Sequence, residues 1–333
     1  MRLRELAREI FKEKFPPQKV LFRVDAGNIE GLSFGHLSRC LILAKEIERS
    51  ANSETIFLMR DYSEGVAYAK SLGCRLKTLS ASLPKYKHNR VVVEWISKIK
   101  PDCLVVDLPD DNPDPYLDYA RKNQILTVCI DDTAKQPYRA DVILNSSILA
   151  ERSKYGNCLP TTRFLMGMNY FIMDDYSIKK RNVDNDGSLS VLITFGGSDP
   201  LGFTEKTIRA LAEISWHNVD FTVILGPGFK EKKSVIDASK PLQNKITIVE
   251  CPKDIKEYFL KNDLAICAGG RTLYELFRIG VPCIAIASSE NEALVIKKFI
   301  EKGLLLSGLI SWDKKYFLRQ LKNAISSLSK QLF

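Results

Sequence analysis

Short apolar runs separated by amphipathic helical stretches recur along this chain from residue 20 onward. This alternation is typical of parallel sheets, because parallel strands need a long crossover that is usually a helix. The predicted strands are Val20–Val24, Thr55–Met59, Leu76–Leu79, Cys103–Asp107, Ile125–Ile130 and Val142–Leu144, then Val191–Phe195, Phe221–Leu225, Ile246–Val249, Leu264–Cys267 and Cys283–Ala287. Helices are predicted at 35–49, 62–72, 202–214, 254–260, 271–279 and 291–302. The sequence therefore predicts an α/β protein with doubly wound parallel sheets.

A polar segment at residues 173–190 interrupts this pattern, and its few apolar residues show no period that would bury a face. The length of 333 residues also suggests two domains of about 150 residues each. The predicted organisation is a helix at 1–17, a Rossmann-like domain at 18–172, a linker at 173–190, a second Rossmann-like domain at 191–311 and a helix at 312–333. Two such domains facing each other across a cleft would bind ligands beyond the carboxyl ends of their strands.

The net charge of +9 raises the question of a nucleic-acid partner. Most of the excess lies at the two ends, and neither half shows the clustered basic face that nucleic-acid binding requires. Both ends have helical spacing of apolar residues: Leu3, Leu6 and Ile10 in the first, and Phe317, Leu321, Ile325, Leu328 and Leu332 in the last. We expect these helices to dock on the body of the protein; contact with a lipid surface or a partner is the less favoured alternative.

The remaining composition excludes several classes of protein. No apolar run is long enough to span a bilayer, and the charged N-terminal residues do not resemble a secretory signal. The eight cysteines are scattered without a C-x-x-C pair, and there are three histidines, so neither a zinc site nor a disulfide framework is expected. We expect a cytoplasmic monomer without a metal or cofactor.

The first strand-to-helix turn leads from Arg23 and Asp25 through Gly35 to His36, and Arg39 follows in the helix. Glycine at a helix entrance lets backbone N–H groups approach an anion, and a neutral imidazole can accept a proton near neutral pH. The alternative is that His36 only hydrogen-bonds the loop. Asp107, Asp131 and Asp132 follow later strands and could orient a sugar or the histidine, although the last two could equally cap a turn.

Two glycine turns follow strands of the second half. The turn with Gly196, Gly197 and Ser198 is rich in donors and able to hold phosphate, but a purely structural turn uses the same residues. The turn with Gly270, Arg271 and Thr272 offers further donors. Glu275 lies one helical turn after Arg271 and could bind a ribose diol; a surface ion pair with Arg271 is the alternative. Asn291 and its polar neighbours extend the same rim.

The ordered set of motifs resembles the nucleotide-sugar hydrolases of pseudaminic acid biosynthesis and their relatives in spore-coat polysaccharide synthesis. The likeness covers nearly the whole chain after residue 18 and rests on Arg23-Val-Asp25, Gly35-His36-Leu-Ser-Arg39-Cys40, Val105-Val106-Asp107, Ile130-Asp131-Asp132, Phe195-Gly-Gly-Ser-Asp-Pro200, Gly226-Pro227-Gly228, Gly270-Arg-Thr272 with Glu275, Gly280-Val-Pro282 and Asn291. The resemblance implies a GT-B fold, similar to the glycosyltransferase that makes lipid II, and hydrolysis of a UDP-linked diacetamido trideoxy sugar without a metal.

On this basis His36 is the expected general base for water. The residues expected to contact the sugar side of the substrate are Arg23, Asp25, Gly35, Arg39, Asp107 and Asn291, and those expected to hold the nucleotide are Gly196, Gly197, Ser198, Gly270, Arg271, Thr272 and Glu275. The chain also departs from the family pattern. Ser33 replaces the first glycine of Gly-x-Gly-His, Leu108 and Pro109 replace a His-Tyr pair, and Arg271 stands where a small hydroxyl residue is usual. A glycosyltransferase and an inactive nucleotide-sugar-binding homologue are therefore the alternatives.

Overall fold

A computed structural model describes residues 1–27, 29, 32, 34–109, 112–135, 138–175, 188–242, 244–252 and 254–330. The chain divides into two compact units: unit 1 ends at Asp175, and the described part of unit 2 begins at residue 188. The predicted linker at 173–190 lies for the most part outside the described residues, as do Gly31 and Ser33 of the first turn. Each unit is an α/β structure around one parallel sheet.

Unit 1 contains a seven-stranded sheet in the order β3-β2-β1-β4-β5-β6-β7. Its strands are β1 (Lys19–Val24), β2 (Glu54–Arg60), β3 (Leu76–Leu79), β4 (Cys103–Asp107), β5 (Leu126–Ile130), β6 (Val142–Asn145) and β7 (Arg163–Met166). Its helices are α1 (Leu3–Phe11), α2 (Phe34–Ala51), α3 (Ser63–Ser71), α4 (Lys85–Ile99) and α5 (Asp114–Lys122). The central strands β1 and β4 are buried along almost their whole length, which explains why their sequences are continuous apolar runs rather than alternating ones.

Unit 2 contains a six-stranded parallel sheet in the order β10-β9-β8-β11-β12-β13. Its strands are β8 (Leu189–Thr194), β9 (Val219–Leu225), β10 (Ile246–Glu250), β11 (Leu264–Ala268), β12 (Cys283–Ile286) and β13 (Ser307–Leu309). Its helices are α6 (Phe203–Leu211), α7 (Lys232–Ser239), α8 (Lys256–Lys261), α9 (Arg271–Ile279), α10 (Glu290–Glu301) and α11 (Lys314–Lys330). Every predicted strand is present in the two sheets, so the predicted α/β class with two parallel sheets is confirmed.

The two edge strands β7 and β13 were not among the predicted strands. Leu165 is the one buried residue of β7. Strand β13 has three residues, and one of them, Gly308, has no side chain to add to an apolar pattern. An edge strand is covered on fewer sides than a central one, so it needs fewer apolar residues and leaves a weaker pattern in the sequence.

Both terminal helices pack on their own units. Helix α1 is shorter than predicted and ends at Phe11, and its apolar side chains, Leu3, Leu6 and Ile10, are buried in the core of unit 1. Arg163 of β7 donates from Nη1 to the carbonyl of Glu9 and from Nη2 to that of Ile10, both at 2.8 Å. These bonds satisfy carbonyl groups at the end of α1 and hold it against the sheet.

Helix α11 buries Phe317 and Leu321 in the core of unit 2, and Ile325 and Leu328 pack against the edge of that core. Leu332 lies outside the described residues. Docking of both amphipathic faces on the body is therefore confirmed where the structure describes them. Among all the residues that the structure describes, no helix is both long enough and apolar enough to cross a bilayer.

Candidate functional site

The centre of the unit 1 sheet is a topological switch point. Strands β1 and β4 are neighbours there, and the chain proceeds outward from them in opposite directions. The carboxyl ends of strands at such a point are where open α/β sheets bind ligands. Asp107 is the last residue of β4, and His36 and Arg39 lie in the first two turns of α2, which follows β1. The topology therefore brings together three residues that the sequence singled out.

His36 and Asp107 form a hydrogen-bonded pair, with His36 Nδ1 lying 2.8 Å from Asp107 Oδ1. Asp107 is buried, whereas the His36 side chain is 14% exposed. Burial acts to raise the pKa of Asp107, but the charge of Arg39 and the hydrogen bonds from Arg39 and His36 outweigh it and hold that pKa well below its usual range. An ionised carboxylate can only accept, so the shared proton lies on Nδ1 and Nε2 of the neutral ring is left as an acceptor.

Arg39 bridges two carboxylates. It donates from Nε to Asp107 Oδ2 at 2.6 Å and from Nη2 to Asp107 Oδ1 at 2.7 Å, and its Nη1 donates to Asp132 Oδ1 at 2.7 Å. Arg39 Nη2 and His36 Nδ1 lie 3.2 Å apart because both donate to the same oxygen. The thiol of Cys40 lies 3.5 Å from the other oxygen of Asp107. We call these residues, His36, Arg39, Cys40, Asp107 and Asp132, the His36 cluster.

The charges of the cluster keep both carboxylates ionised. Burial and, to a lesser extent, the like charge of Asp107 act to raise the pKa of Asp132, but the charge and hydrogen bond of Arg39 outweigh them and lower that pKa; His36 adds to this lowering only when its ring is protonated. Burial would lower the pKa of the Arg39 guanidinium, and the two carboxylates raise it well above its usual value. Arg39 was predicted to contact substrate directly; in this arrangement its donors are engaged by Asp107 and Asp132. That prediction remains untested.

Arg23 and Asp25 form a second buried network in unit 1. The Arg23 side chain is 1% exposed, and its Nη1 and Nη2 donate to the two oxygens of Asp25 at 2.6 and 2.8 Å. The backbone N–H of Arg60 donates to Asp25 at 2.7 Å. Nη2 of Arg23 also lies 3.0 Å from Nε2 of His88, and because arginine can only donate, this nitrogen of His88 is the acceptor. The network holds the end of β1 in place, and a direct contact of Arg23 with substrate remains a prediction.

Sequence reasoning did not single out His88. It lies on α4, 65 residues from Arg23, and reads in the sequence as one polar position in a basic stretch. The helical spacing from His88 to the buried Val92 and Ile96 is the signal that places it on the buried face of α4. The remaining residue predicted on the sugar side within unit 1, Gly35, lies in the first turn of α2.

The sheet of unit 2 has its own switch point between β8 and β11. The two glycine turns predicted to hold the nucleotide are the loops that follow these strands. Gly196 has φ of +79°, a conformation that favours glycine. The loop packs against the segment after β9, where the N–H of Gly228 donates to the carbonyl of Gly197 at 2.8 Å.

One part of the loop after β8 is already engaged. The carboxylate of Asp199 accepts hydrogen bonds from the backbone N–H groups of Phe203 at 2.9 Å and Thr204 at 2.7 Å. It thereby satisfies the first amides of α6, where a phosphate would otherwise bind. The N–H groups of Phe203 and Thr204 are therefore already paired, and the contacts predicted for a phosphate on this loop are those of Gly196, Gly197 and Ser198.

Gly226 makes a close backbone contact that leads to a first prediction. A Cβ atom at this position would lie 2.5 Å from both the carbonyl oxygen of Gly196 and Cα of Gly197. Because neither is a flexible side chain, Gly226→Ala should displace the loop and lower the free energy of unfolding of unit 2 by about 3 kcal/mol. Urea unfolding monitored by circular dichroism measures this effect. Gly156→Ala, with no atom within 4 Å of its Cβ position, is the control and should change stability by less than about 0.5 kcal/mol.

The loop after β11 leads into α9 through Gly270, the N-cap residue, which has no side chain that could cap the helix. Glu292 of α10 packs over the loop, since a Cβ atom on Gly270 would lie 2.9 Å from its Oε1, and its Oε2 accepts from the N–H of Ser288 at 2.8 Å. The carboxylate of Glu292 therefore lies close to the N-terminus of α9, where the positive end of the helix dipole favours a negative charge.

Arg271 and Glu275 form an ion pair on α9, with Arg271 Nε lying 2.9 Å from Glu275 Oε1. The pair that the sequence left as an alternative is thus present, and both side chains are partly buried. Thr272 is half-buried in the same turn. Asn291 is exposed in the first turn of α10, one residue before Glu292.

No protein-family model matches the chain. Among curated proteins, an uncharacterized protein of Methanocaldococcus jannaschii is 24% identical over 83% of this chain and 57% of its own length. The spore coat polysaccharide biosynthesis protein SpsG of Bacillus subtilis is 24% identical over 67% of this chain and 66% of its own length. The alignments therefore span less than two thirds of the length of these relatives.

Solved structures resemble the chain over nearly its whole length. MurG of Acinetobacter baumannii matches 95% of this chain and 94% of its own, with a TM-score of 0.61 and 14% identity. The UDP-GlcNAc 2-epimerase of Neisseria meningitidis, solved with UDP-GlcNAc, matches 94% of each chain with a TM-score of 0.59 and 12% identity. The spinosyn rhamnosyltransferase SpnG matches 94% of this chain and 95% of its own, with a TM-score of 0.62 and 12% identity. These likenesses confirm the predicted GT-B type of fold: two parallel-sheet α/β units, as in MurG and SpnG.

Proposed function

We propose that this protein is a nucleotide-sugar-processing enzyme, and more specifically a hydrolase that releases UDP from a UDP-linked sugar. The observation that carries the proposal is the His36–Asp107 pair at the switch point of unit 1. A neutral imidazole whose Nδ1 proton is held by a carboxylate has its Nε2 available to accept a proton, which is the arrangement of a general base. Two of the comparisons also support the proposal. The epimerase of similar fold was solved with UDP-GlcNAc, and the relative SpsG is a polysaccharide biosynthesis protein.

In the proposed reaction a water molecule attacks the anomeric carbon. His36 Nε2 accepts the proton of this water as the new C–O bond forms, and the bond between the anomeric carbon and the diphosphate oxygen breaks, so that UDP leaves. Negative charge grows on the departing diphosphate, and fixed backbone N–H donors stabilise such charge best when they need no reorientation. The backbone N–H groups of the loop before α9 and of the Gly196–Gly197 loop are the proposed donors.

The sugar is proposed on the resemblance stated above. A diacetamido trideoxy sugar would place the reaction in nonulosonic acid or surface polysaccharide synthesis. Glu275 is proposed to bind the ribose diol, which requires one of its oxygens in addition to the one near Arg271. Asn291, Thr272 and Ser198 are proposed as further nucleotide or sugar contacts.

A glycosyltransferase is the second candidate, and the likeness to MurG and SpnG favours it. The same base would then accept the proton of an acceptor hydroxyl instead of water. The two candidates differ in what happens without an acceptor, because only the hydrolase releases free sugar from the nucleotide sugar alone.

The experiment is a panel of UDP-, CMP- and TDP-linked amino sugars incubated with the protein, followed by NMR of the anomeric proton and of the phosphorus nuclei. Release of UDP and free sugar in the absence of an acceptor supports the hydrolase. Release only with a lipid or sugar acceptor supports the glycosyltransferase. Calorimetric binding of UDP-sugars without any turnover identifies a binding protein, as the replacement of His-Tyr by Leu108 and Pro109 would allow.

A further inference from the structure

We propose that Asp132 is a positioning residue that sets the proton affinity of the His36 imidazole by compensating the charge of Arg39. The proposal rests on the function proposed above, in which His36 accepts a proton. Asp132 does not contact His36 in this arrangement through a hydrogen bond; it binds Nη1 of Arg39 at 2.7 Å, and Arg39 in turn binds the carboxylate that holds His36.

The argument starts from the charges that face His36. Asp107 of β4 and Asp132 of the turn after β5 each contribute one negative charge, and Arg39 of α2 contributes one positive charge. The Cys40 thiol is the remaining group of the cluster. With neutral His36 the named groups of the cluster therefore have a net charge of −1. Removing one carboxylate brings this sum to zero and makes an added positive charge on the ring less favourable.

The two carboxylates are not equivalent. Both oxygens of Asp107 accept from Arg39, and one of them also accepts from His36 Nδ1, so a change at Asp107 alters the position of the ring. Asp132 is 37% exposed and stands on the far side of the guanidinium. Its charge can be removed without leaving a buried carboxylate unpaired or freeing the imidazole. Asp132 is thus the residue at which the charge can be tested separately from the geometry.

The turn that carries Asp132 is held firmly. The neighbouring Asp131 is buried and accepts from the N–H of Ala134 at 2.7 Å and from the hydroxyl of Tyr155. The side chain of Asn145, at the end of β6, donates to the same hydroxyl at 2.9 Å. Asp131 therefore performs the turn-capping role that the sequence left open, and its neighbour Asp132 is presented to Arg39 at a fixed position.

The coupling between Asp132 and His36 is reciprocal. The charge of His36, when the ring is protonated, is among the causes that lower the pKa of Asp132, and the attraction between two opposite charges acts on both groups. Because Asp132 is ionised well below neutral pH, its charge is present throughout the range in which an imidazole titrates.

The test measures the titration of His36 by NMR of its ring carbons and nitrogens in the wild type and in Asp132→Asn. Asparagine keeps an oxygen that can accept from Arg39 but has no charge. The midpoint should fall by about 0.5 to 1 pH unit, the effect of one partly screened charge. The acidic limb of the pH profile of UDP release should move by the same amount and in the same direction. Asp132→Glu, which restores the charge, should recover most of the shift.

Asp118→Asn is the matched control. Asp118 lies in the same unit, is 39% exposed and pairs with Arg121 at 3.2 Å. It therefore matches Asp132 in residue type, in exposure and in having an arginine partner, but it does not belong to the His36 cluster. This variant should leave the midpoint where it is. A midpoint that does not fall in Asp132→Asn, or that falls equally in Asp118→Asn, overturns the proposal.

The NMR titration also separates this proposal from the proposed function. If no nucleotide sugar is turned over, the hydrolase proposal fails while the His36 titration still decides the role of Asp132. If the NMR midpoint moves but the limb of the rate profile does not, Asp132 has the proposed effect and His36 is not the rate-controlling base.

Discussion

Replacing His36 by alanine should lower the rate of UDP release from the nucleotide sugar by about 10² to 10⁴, the usual contribution of one general base. The affinity for UDP should change little, because the proposed nucleotide contacts are on the loops after β8 and β11 and not on α2. Assays of UDP release quenched at fixed times measure the rate, and isothermal titration calorimetry with UDP measures the affinity. The loss should appear in kcat rather than in nucleotide binding, since the lost group acts on the attacking water.

His217→Ala is the control for this variant. His217 is exposed in unit 2, in the segment between α6 and β9, and belongs to neither glycine loop. It should leave both the rate and the affinity unchanged. An unaltered rate in His36→Ala would remove the imidazole from the mechanism, and a loss of UDP affinity equal to the loss of rate would assign His36 to binding instead.

The sequence located the strands well because a central parallel strand is buried on both faces and so must be apolar along its length. It also located the loops of interest, since the order of strands and helices identifies which turns lie at carboxyl ends. Arg39 and Asp107 were both recognised for that reason. The local pattern of strands and helices determines where each loop lies in the chain. The sequence could therefore predict which loops hold the residues of the candidate site.

The pairing of side chains was not predictable in the same way. Arg39 binds Asp107 and Asp132, which are 68 and 93 residues away, and no local pattern records which carboxylate an arginine will meet. Arg23 is buried against Asp25 and His88, and the sequence did not indicate the contact with His88; its predicted contact with substrate stays a prediction. Asp199 follows the predicted phosphate turn, and its bonds to the first amides of α6 fit the general preference for aspartate near the start of a helix, which the sequence analysis did not apply to this residue.

The two ionic networks of unit 1, the His36 cluster and the Arg23–Asp25 pair, differ in how far they are exposed to solvent. In the His36 cluster, Asp132 and His36 reach solvent, so the cluster can exchange protons with a ligand or water. Arg23 and Asp25, by contrast, are both buried, with side chains that are 1% and 8% exposed. A buried charge that water does not reach is stabilised by its protein partners alone. We therefore expect the Arg23–Asp25 network to contribute to the stability of unit 1 rather than to catalysis.

Replacing Asp25 by asparagine should therefore lower the free energy of unfolding of unit 1 by about 3 to 5 kcal/mol, the usual cost of removing one partner from a buried ion pair. Arg23 would lose its bidentate carboxylate, and the amide NH₂ of asparagine would oppose one of its N–H groups. Urea unfolding at neutral pH measures the effect. Glu94→Gln, which breaks the exposed Arg90–Glu94 pair at 3.2 Å on α4, is the control and should cost less than about 0.5 kcal/mol.

The pH dependence provides a second check with a definite sign. Burial acts to raise the pKa of Asp25, but the charges and hydrogen bonds of Arg23 and Arg60 outweigh it, and its pKa is lowered in the folded protein. The stabilisation from the ionised carboxylate is therefore complete above the ordinary aspartate value of about 3.9 and is lost as the pH falls through the lowered value. The difference in stability between the wild type and Asp25→Asn should be constant from about pH 5 upward and should shrink below about pH 4. A difference that stays the same at low pH would show that the lost stability comes from packing or side-chain geometry, not from the charge of Asp25.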